Sequence, residues 1–170
     1  AKHNADITYK PFNLMQVFAD TTTPAVPDRH PSVIAYRTQE LKRIAKRRGA
    51  DINLKPAHWP TNPLPACYAM IAAQESGAGN MGGLVQALLR ACWAEEQDIS
   101  QDDVINACLA ANGFEAGLMH NDQDKLAAIY AQNTEEALNR GVFGAPTYLI
   151  GEEVFWGQDR LDYLDDYLAG

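Results

Sequence analysis

One stretch of this chain demands β-structure, and it lies near the C-terminal end: residues 140–160, RGVFGAPTYLIGEEVFWGQDR. Thr147–Ile150 and residues 154–156 are β-branched and aromatic runs, with Gly151-Glu152-Glu153 between them as the turn of a hairpin. Gly141 closes a helix, and Gly144-Ala145-Pro146 leads into the first run. Proline cannot donate to a ladder, so Pro146 belongs at the strand's first residue. Residue types leave the isomer of the Ala145–Pro146 bond open, since only about 5% of X–Pro bonds in folded proteins are cis. Past the hairpin, Trp156-Gly157-Gln158-Asp159 turns into a final helix in which Leu161, Leu164 and Leu168 keep helical spacing.

Upstream, β-signals are scarce. Ala1-Lys2-His3-Asn4 reads as the last turn of a helix, with Asn4 at its end. Residues 6–10 read as a short strand, Ile7 and Tyr9 facing one way, and no second strand follows until Thr147. A lone strand forms no sheet and three make a thin one, so a further strand is expected ahead of Ala1, without which central backbone groups stay unpaired. Residues 13–28 read as loop, with Pro24, Pro27 and the Thr21-Thr22-Thr23 run. Pro31 suits the first turn of a helix that runs to Arg48 and stops at Gly49. Residues 50–65, punctuated by Pro56, Pro60, Pro63 and Pro65, admit no long helix. From Ala66 the pattern is helical almost without a break, along Cys67, Met70 and Ile71 and then Leu84, Leu88 and Cys92. Ser100-Gln101-Asp102-Asp103 resembles a capping box opening a helix that ends at Asn112-Gly113. Asp122 or Asp124 starts the next, which reaches Gly141.

Composition narrows the chemistry. The 170 residues suit one domain, and 46% apolar residues are ordinary globular material. A net charge of −8 disfavours nucleic acid, which needs a basic face. The cations closing the 31–48 helix complement its dipole instead. No apolar run approaches the about 20 residues of a membrane span, and no signal peptide opens the chain. Three cysteines (Cys67, Cys92 and Cys108), an odd number with no C-x-x-C and each in helical sequence, suit core thiols in a reducing cytoplasm. Gly77-Ala-Gly79-Asn-Met-Gly82 matches G-x-G-x-x-G, but helix rather than strand precedes it, so it reads as a helix–helix loop and not a dinucleotide site. His3, His30, His58 and His120 lack metal-ligand spacing, so no metal is expected. No G-x-S-x-G elbow exists, and a buried helical Cys67 reads as inert.

The segments G-V-F-G-A-P-T at 141–147 and W-G-Q-D-R-L at 156–161 resemble the C-terminal signature of the 2-hydroxychromene-2-carboxylate isomerase family. Its members are related to kappa-class glutathione transferases and DsbA-like thioredoxin-fold proteins. Weaker agreement covers Ile7-Thr8-Tyr9, Asn13-Leu14, the helix around Tyr36, Pro56-Ala57-His58-Trp59 and the helical middle. The resemblance implies an α/β, thioredoxin-like and helix-rich fold. Residues 1–12 and 141–170 would form its thioredoxin-like half, and 13–140 the connecting segment and a large all-helical insertion. Family members begin with a strand and helix bearing a serine, or a cysteine in redox relatives, that activates the glutathione thiol. That residue is expected before Ala1, and its strand between residues 6–10 and the hairpin.

A strand that starts with proline leaves the preceding peptide free to pair with an extended ligand, β-augmentation on a small scale. By resemblance, Ala145 beside Pro146 pairs with the cysteinyl backbone of glutathione. The Trp156-Gly157-Gln158-Asp159 turn then holds its γ-glutamyl end, Asp159 taking the ammonium, and Gln158 with backbone N–H groups the carboxylate. The bland alternative is that Gln158 and Asp159 cap the last helix and Trp156 is core. Trp59 falls where the isomerases place a substrate-facing ring, against the alternative of an ordinary surface tryptophan. Phe18 falls where they use a lysine, and an asparagine of the next loop is replaced within 21–23; both departures bear on the substrate. The activity implied is glutathione-dependent cis–trans isomerisation of a ring-opened aromatic pyruvate in aromatic catabolism. The thiolate adds, the double bond becomes single, rotation follows and the thiol leaves. The resemblance also implies a small aromatic substrate and a possible homodimer. A kappa-like transferase, a DsbA-like oxidoreductase (disfavoured by the lack of C-x-x-C) and a non-catalytic binding module are the alternatives.

Overall fold

Small residues let the central helices meet. In the computed structural model, which describes residues 3–21 and 24–170, α3 (Leu64–Ser76) buries Ala66, Ala69, Ala72 and Ala73 together with Ile71. Alanine keeps neighbouring backbones close, and α4 (Met81–Trp93), α5 (Asp102–Ala111) and α6 (Gln123–Asn139) pack around or beside α3. Leu84, Ile105, Leu109 and Met119 fill the space between them, all almost fully buried. α2 (Pro31–Arg48) buries no residue. Its ends follow the sequence signals, with Pro31 in the first turn and Gly49 in the left-handed conformation after the last. Asn80 caps α4 through a 3.0 Å bond from the Gly83 N–H, and Asp122 caps α6 through a 3.1 Å bond from that of Lys125.

A second, smaller core of Val17, Ala137 and Val142, with Phe12 and Leu149 against it, joins the end of α6 to the hairpin. β1 (Thr147–Ile150) pairs antiparallel with β2 (Glu153–Trp156), from Thr147↔Trp156 to Ile150↔Glu153. The turn is therefore Gly151-Glu152 alone, and Glu153 already belongs to β2. α7 (Leu161–Ala169) follows through a 3₁₀ turn at Gln158–Arg160.

Three local expectations are corrected. Residues 6–10 form no strand, and among the described residues the sheet has two strands. The Gln74 side-chain amide takes the place of a neighbouring strand: its Oε1 accepts from the Tyr9 N–H at 2.7 Å and its Nε2 donates to the Tyr9 C=O at 3.0 Å. Ile7, 67% exposed, shares no buried face with Tyr9. Part of the 13–28 loop is helix, α1 (Leu14–Asp20), capped by Asn13 with a 3.1 Å bond from the Gln16 N–H. So short a helix is marginal alone; burial of Val17 and a 2.9 Å bond from the Asn13 N–H to Thr134 Oγ1 hold it in place. The capping box does not form either. Gln101 occupies the N-cap of α5 without a capping side-chain bond, while Asp98 takes the Ser100 N–H at 3.0 Å and Asp103 the Val104 N–H at 2.9 Å. Asn4, expected at a helix end, has a φ of 51°; Ala1 and Lys2 of that turn, and Thr22 and Thr23, lie outside the described residues.

Candidate functional site

The end of α6 aims the hairpin. Val142 is buried, and its N–H donates to the Ala137 C=O at 2.8 Å, which anchors the chain as it leaves the helix. Arg140 donates from its guanidinium to the Gly151 C=O and ties down the far end of the hairpin. Between these anchors the chain passes under an indole. A Cβ on Gly144 would lie 2.4 Å from Trp156 Nε1, so only glycine lets the ring settle there. Phe143 packs against the same indole, ring centroids 4.8 Å apart. Trp156 nonetheless stays 49% exposed, so it is no ordinary core residue.

Two backbone features bring the predicted residues together. The Ala145–Pro146 bond is cis, and the Gly157 N–H donates to the Pro146 C=O at 2.9 Å. Ala145 therefore lies beside the 157–159 turn, exposed, and among the described residues no hydrogen bond engages its N–H or C=O. Gly157 adopts φ +103°, and a Cβ there would meet Asp159 Oδ1 at 2.6 Å. The turn thus folds a carboxylate back over its own backbone, a shape reserved for glycine. Asp159 accepts from Arg160 Nη1 at 2.6 Å, and neither Gln158 nor Asp159 caps α7, whose N-cap is Arg160 with no capping bond from its side chain. A free peptide, an indole, a carboxylate and a guanidinium thus share one exposed surface. That set suits a small zwitterionic ligand with an extended backbone. Phe143 and Arg160 are the residues of this cluster that motif reasoning left without a role; only packing reveals the first, and only the 2.6 Å ion pair the second.

Trp59 belongs to a separate arrangement. It is 49% exposed, precedes a cis bond to Pro60, and tilts against Trp93 of α4 with centroids 4.7 Å apart. Its loop is tied to the chain after α4. Asn53 N–H donates to the Trp93 C=O at 2.6 Å, Ala57 N–H to the Glu96 carboxylate, and Thr61 Oγ1 to Asp98 at 2.6 Å. Phe18 sits half-buried on α1 next to Val17. No hydrogen bond, ion pair or ring contact among the described residues joins Trp59 or Phe18 to the 145–159 cluster.

The Thr61 hydroxyl, then the Ser100 N–H, hold the Asp98 carboxyl far below the usual carboxylate range. A depressed folded pKa contributes stability that is complete above the unfolded value, about 3.9, and is lost as pH falls toward the folded one. The Trp59 loop is therefore expected to stay docked at neutral pH and to loosen only below about pH 4. Tryptophan emission followed from neutral to acid pH checks this: Asp98→Ala should show the acid-form spectrum already at pH 7, with helical circular dichroism unchanged.

The cysteines offer no thiolate near neutrality. Burial pushes the Cys67 thiol up to about 11. Burial, then the charges of Asp98 and Glu96, raises Cys92; burial, then Glu95, raises Cys108.

Residues 1–169 match the DSBA-like thioredoxin domain family. The chain belongs to that family. Its helix-rich thioredoxin-like architecture agrees with the α/β fold expected from the sequence. This DSBA-like domain is 49% identical over 39 residues to 2-hydroxychromene-2-carboxylate isomerase of Sphingobium xenophagum, covering 23% of the chain and 20% of that protein. It is 47% identical over 40 residues to the Pseudomonas putida protein of the same name, covering 24% and 20%. The matched stretch thus spans about a fifth of the length of these isomerases. The glutathione S-transferase kappa 2 of Caenorhabditis elegans is 26% identical over 176 aligned positions, 96% of this chain and 78% of that one. A solved structure of 2-hydroxychromene-2-carboxylate isomerase superposes with a TM-score of 0.73 at 22% identity, over 96% of this chain and 79% of the other, a likeness of fold. No helix among the described residues is long and apolar enough to cross a membrane.

Proposed function

We propose that the 145–159 cluster binds glutathione and that the domain serves a glutathione-dependent isomerase acting on a planar, ring-opened aromatic pyruvate. The observation that carries the proposal is the free, exposed peptide of Ala145 held beside Asp159 and Arg160 by the Gly157–Pro146 hydrogen bond. Ala145 offers the donor and acceptor that an extended cysteinyl residue requires. Asp159 faces the γ-glutamyl ammonium, and Arg160 with Gln158 faces the adjoining carboxylate. Trp156, steadied by Phe143 and Gly144, covers the ligand's apolar side. Trp59, backed by Trp93, presents a ring on which a planar substrate stacks. Bound glutathione supplies the thiolate that adds to and leaves the conjugated substrate; the residues of this chain bind and orient it. With their raised pKa values, Cys67, Cys92 and Cys108 do not substitute for it.

Isothermal titration with reduced glutathione tests the site. Asp159→Asn removes the charge and is expected to weaken binding about tenfold, the low end for a charge-assisted hydrogen bond because the site is exposed. Glu153→Gln on the same hairpin should leave the affinity unchanged. Wild-type protein that takes up no glutathione, or an Asp159→Asn variant that binds as well as wild type, sinks the assignment. Isomerisation of 2-hydroxychromene-2-carboxylate with and without glutathione then tests the reaction. The near full-length likeness to a kappa transferase favours conjugation as the second reading; thiol transfer to an electrophilic aromatic halide without isomerisation would select it.

A further inference from the structure

Positive charge is concentrated on one helix of a protein of net charge −8. Six of the 14 Lys and Arg side chains stand in α2 against one of the 22 acids, Glu40, so the rest of the chain is more acidic than the net charge. Dipole compensation accounts for Lys46, Arg47 and Arg48 of the last turn, but not for Arg37, Lys42 and Arg43, which lie outside it. Elsewhere Lys10, Arg90, Lys125 and Arg160 each hold a carboxylate. Among the described residues the cations of α2 hold none, and Arg43 donates to the neutral Gln39 at 3.1 Å.

α2 also stands apart from the packing of the fold. Neither hydrophobic core includes a residue of it. Among the described residues its side chains bond only within the helix or to His30 at its start. Ile34, Leu41 and Ile44 are half-buried on one side. On another, Val33 (46% exposed), Tyr36 (56%), Arg43 and Arg47 form one exposed stripe at helical spacing. Glu40 within it accepts from the Tyr36 hydroxyl at 3.2 Å. An apolar end followed by two arginines is a surface that a second helix reads along its own stripe. The planar fork of arginine suits carboxylates. A broad polyanion, such as a bilayer or a duplex, would also meet the acidic remainder of the domain and be repelled; a slender helix meets α2 alone.

We propose that this stripe docks an acidic amphipathic helix of another protein. Apolar residues of that helix lie against Val33 and Tyr36, and its carboxylates pair with Arg43 and Arg47. Opposite charge speeds encounter and selects the partner, so the association depends on ionic strength.

Fluorescence anisotropy of a labelled helical peptide built from Leu–Glu heptads tests this. The wild-type domain is expected to bind it, with a dissociation constant that rises at least about tenfold between about 0.05 and about 0.5 M salt. The same heptads with Lys in place of Glu should not bind. Arg43→Glu/Arg47→Glu should weaken binding at least about tenfold, with unchanged circular dichroism. Lys55→Glu/Lys125→Glu makes the same change of net charge away from α2 and should bind as wild type. Wild-type protein that ignores the acidic peptide at low salt overturns the proposal, as does an equal loss in the two double variants. Uptake by phosphatidylserine vesicles in place of the peptide also overturns it and assigns α2 to an anionic lipid surface.

Discussion

Gly79→Ala is expected to destabilise the domain by about 2–5 kcal/mol, by adding left-handed backbone strain to overpacking. Gly79 has φ +61°, and a Cβ on it would lie 2.6 Å from the Asn112 C=O oxygen and 2.7 Å from the Phe114 ring. The Asn112 oxygen cannot retreat freely, because it accepts the Asn80 N–H at 2.8 Å, and Asn80 caps α4. Chemical denaturation should show the midpoint falling at constant m. Gly77→Ala is the control: its φ is also positive, +66°, but nothing lies within 4 Å of the added carbon, so only the strain of about 1–2 kcal/mol remains. Equal losses at the two positions would remove the packing explanation. Within this G-x-G-x-x-G string, Gly79 thus serves the close approach of the α3–α4 connection to the end of α5, whereas Gly77 closes α3 in the left-handed conformation.

Leu84→Ala should cost about 2–5 kcal/mol, a large part of the about 5–15 kcal/mol that holds a domain folded. Leu84 is fully buried in the main core, where a lost isobutyl group leaves a cavity that rigid helices do not close. Leu89, on the same helix but 56% exposed, should lose no more than about 0.5 kcal/mol as alanine. Thermal melts of both variants check the contrast. A Leu84→Ala loss as small as that of Leu89→Ala would mean that the core relaxes around the deletion.

Long, periodic elements were legible because their signals are local. Pro31 and Gly49 bracket α2, the Leu84–Leu88–Cys92 stripe marks α4, and β-branched residues around Gly151 mark the hairpin. The candidate site was legible as a string, since Ala145, Pro146, Trp156, Gly157, Gln158 and Asp159 are close in sequence and one hairpin folds them together. Its electrostatic partner Arg160 and its packing partner Phe143 carry no periodicity, so their part emerges only from the fold.

Elsewhere tertiary contacts decided. Residues 6–10 have strand-like composition, yet a strand exists only through its neighbour, and it is Gln74, far along the chain, that pairs with Tyr9. α1 is too short to stand on propensity and forms where Val17 can be buried. Ser100 has the residue type of a cap, but Asp98 takes its N–H first. By itself the sequence determined the helix-rich plan, the hairpin and the glycine-shaped turn, because each depends on residues within a few positions of one another. Which face each element buries, and which side chain completes each backbone group, depended on partners distant in sequence, and only the tertiary structure supplies those.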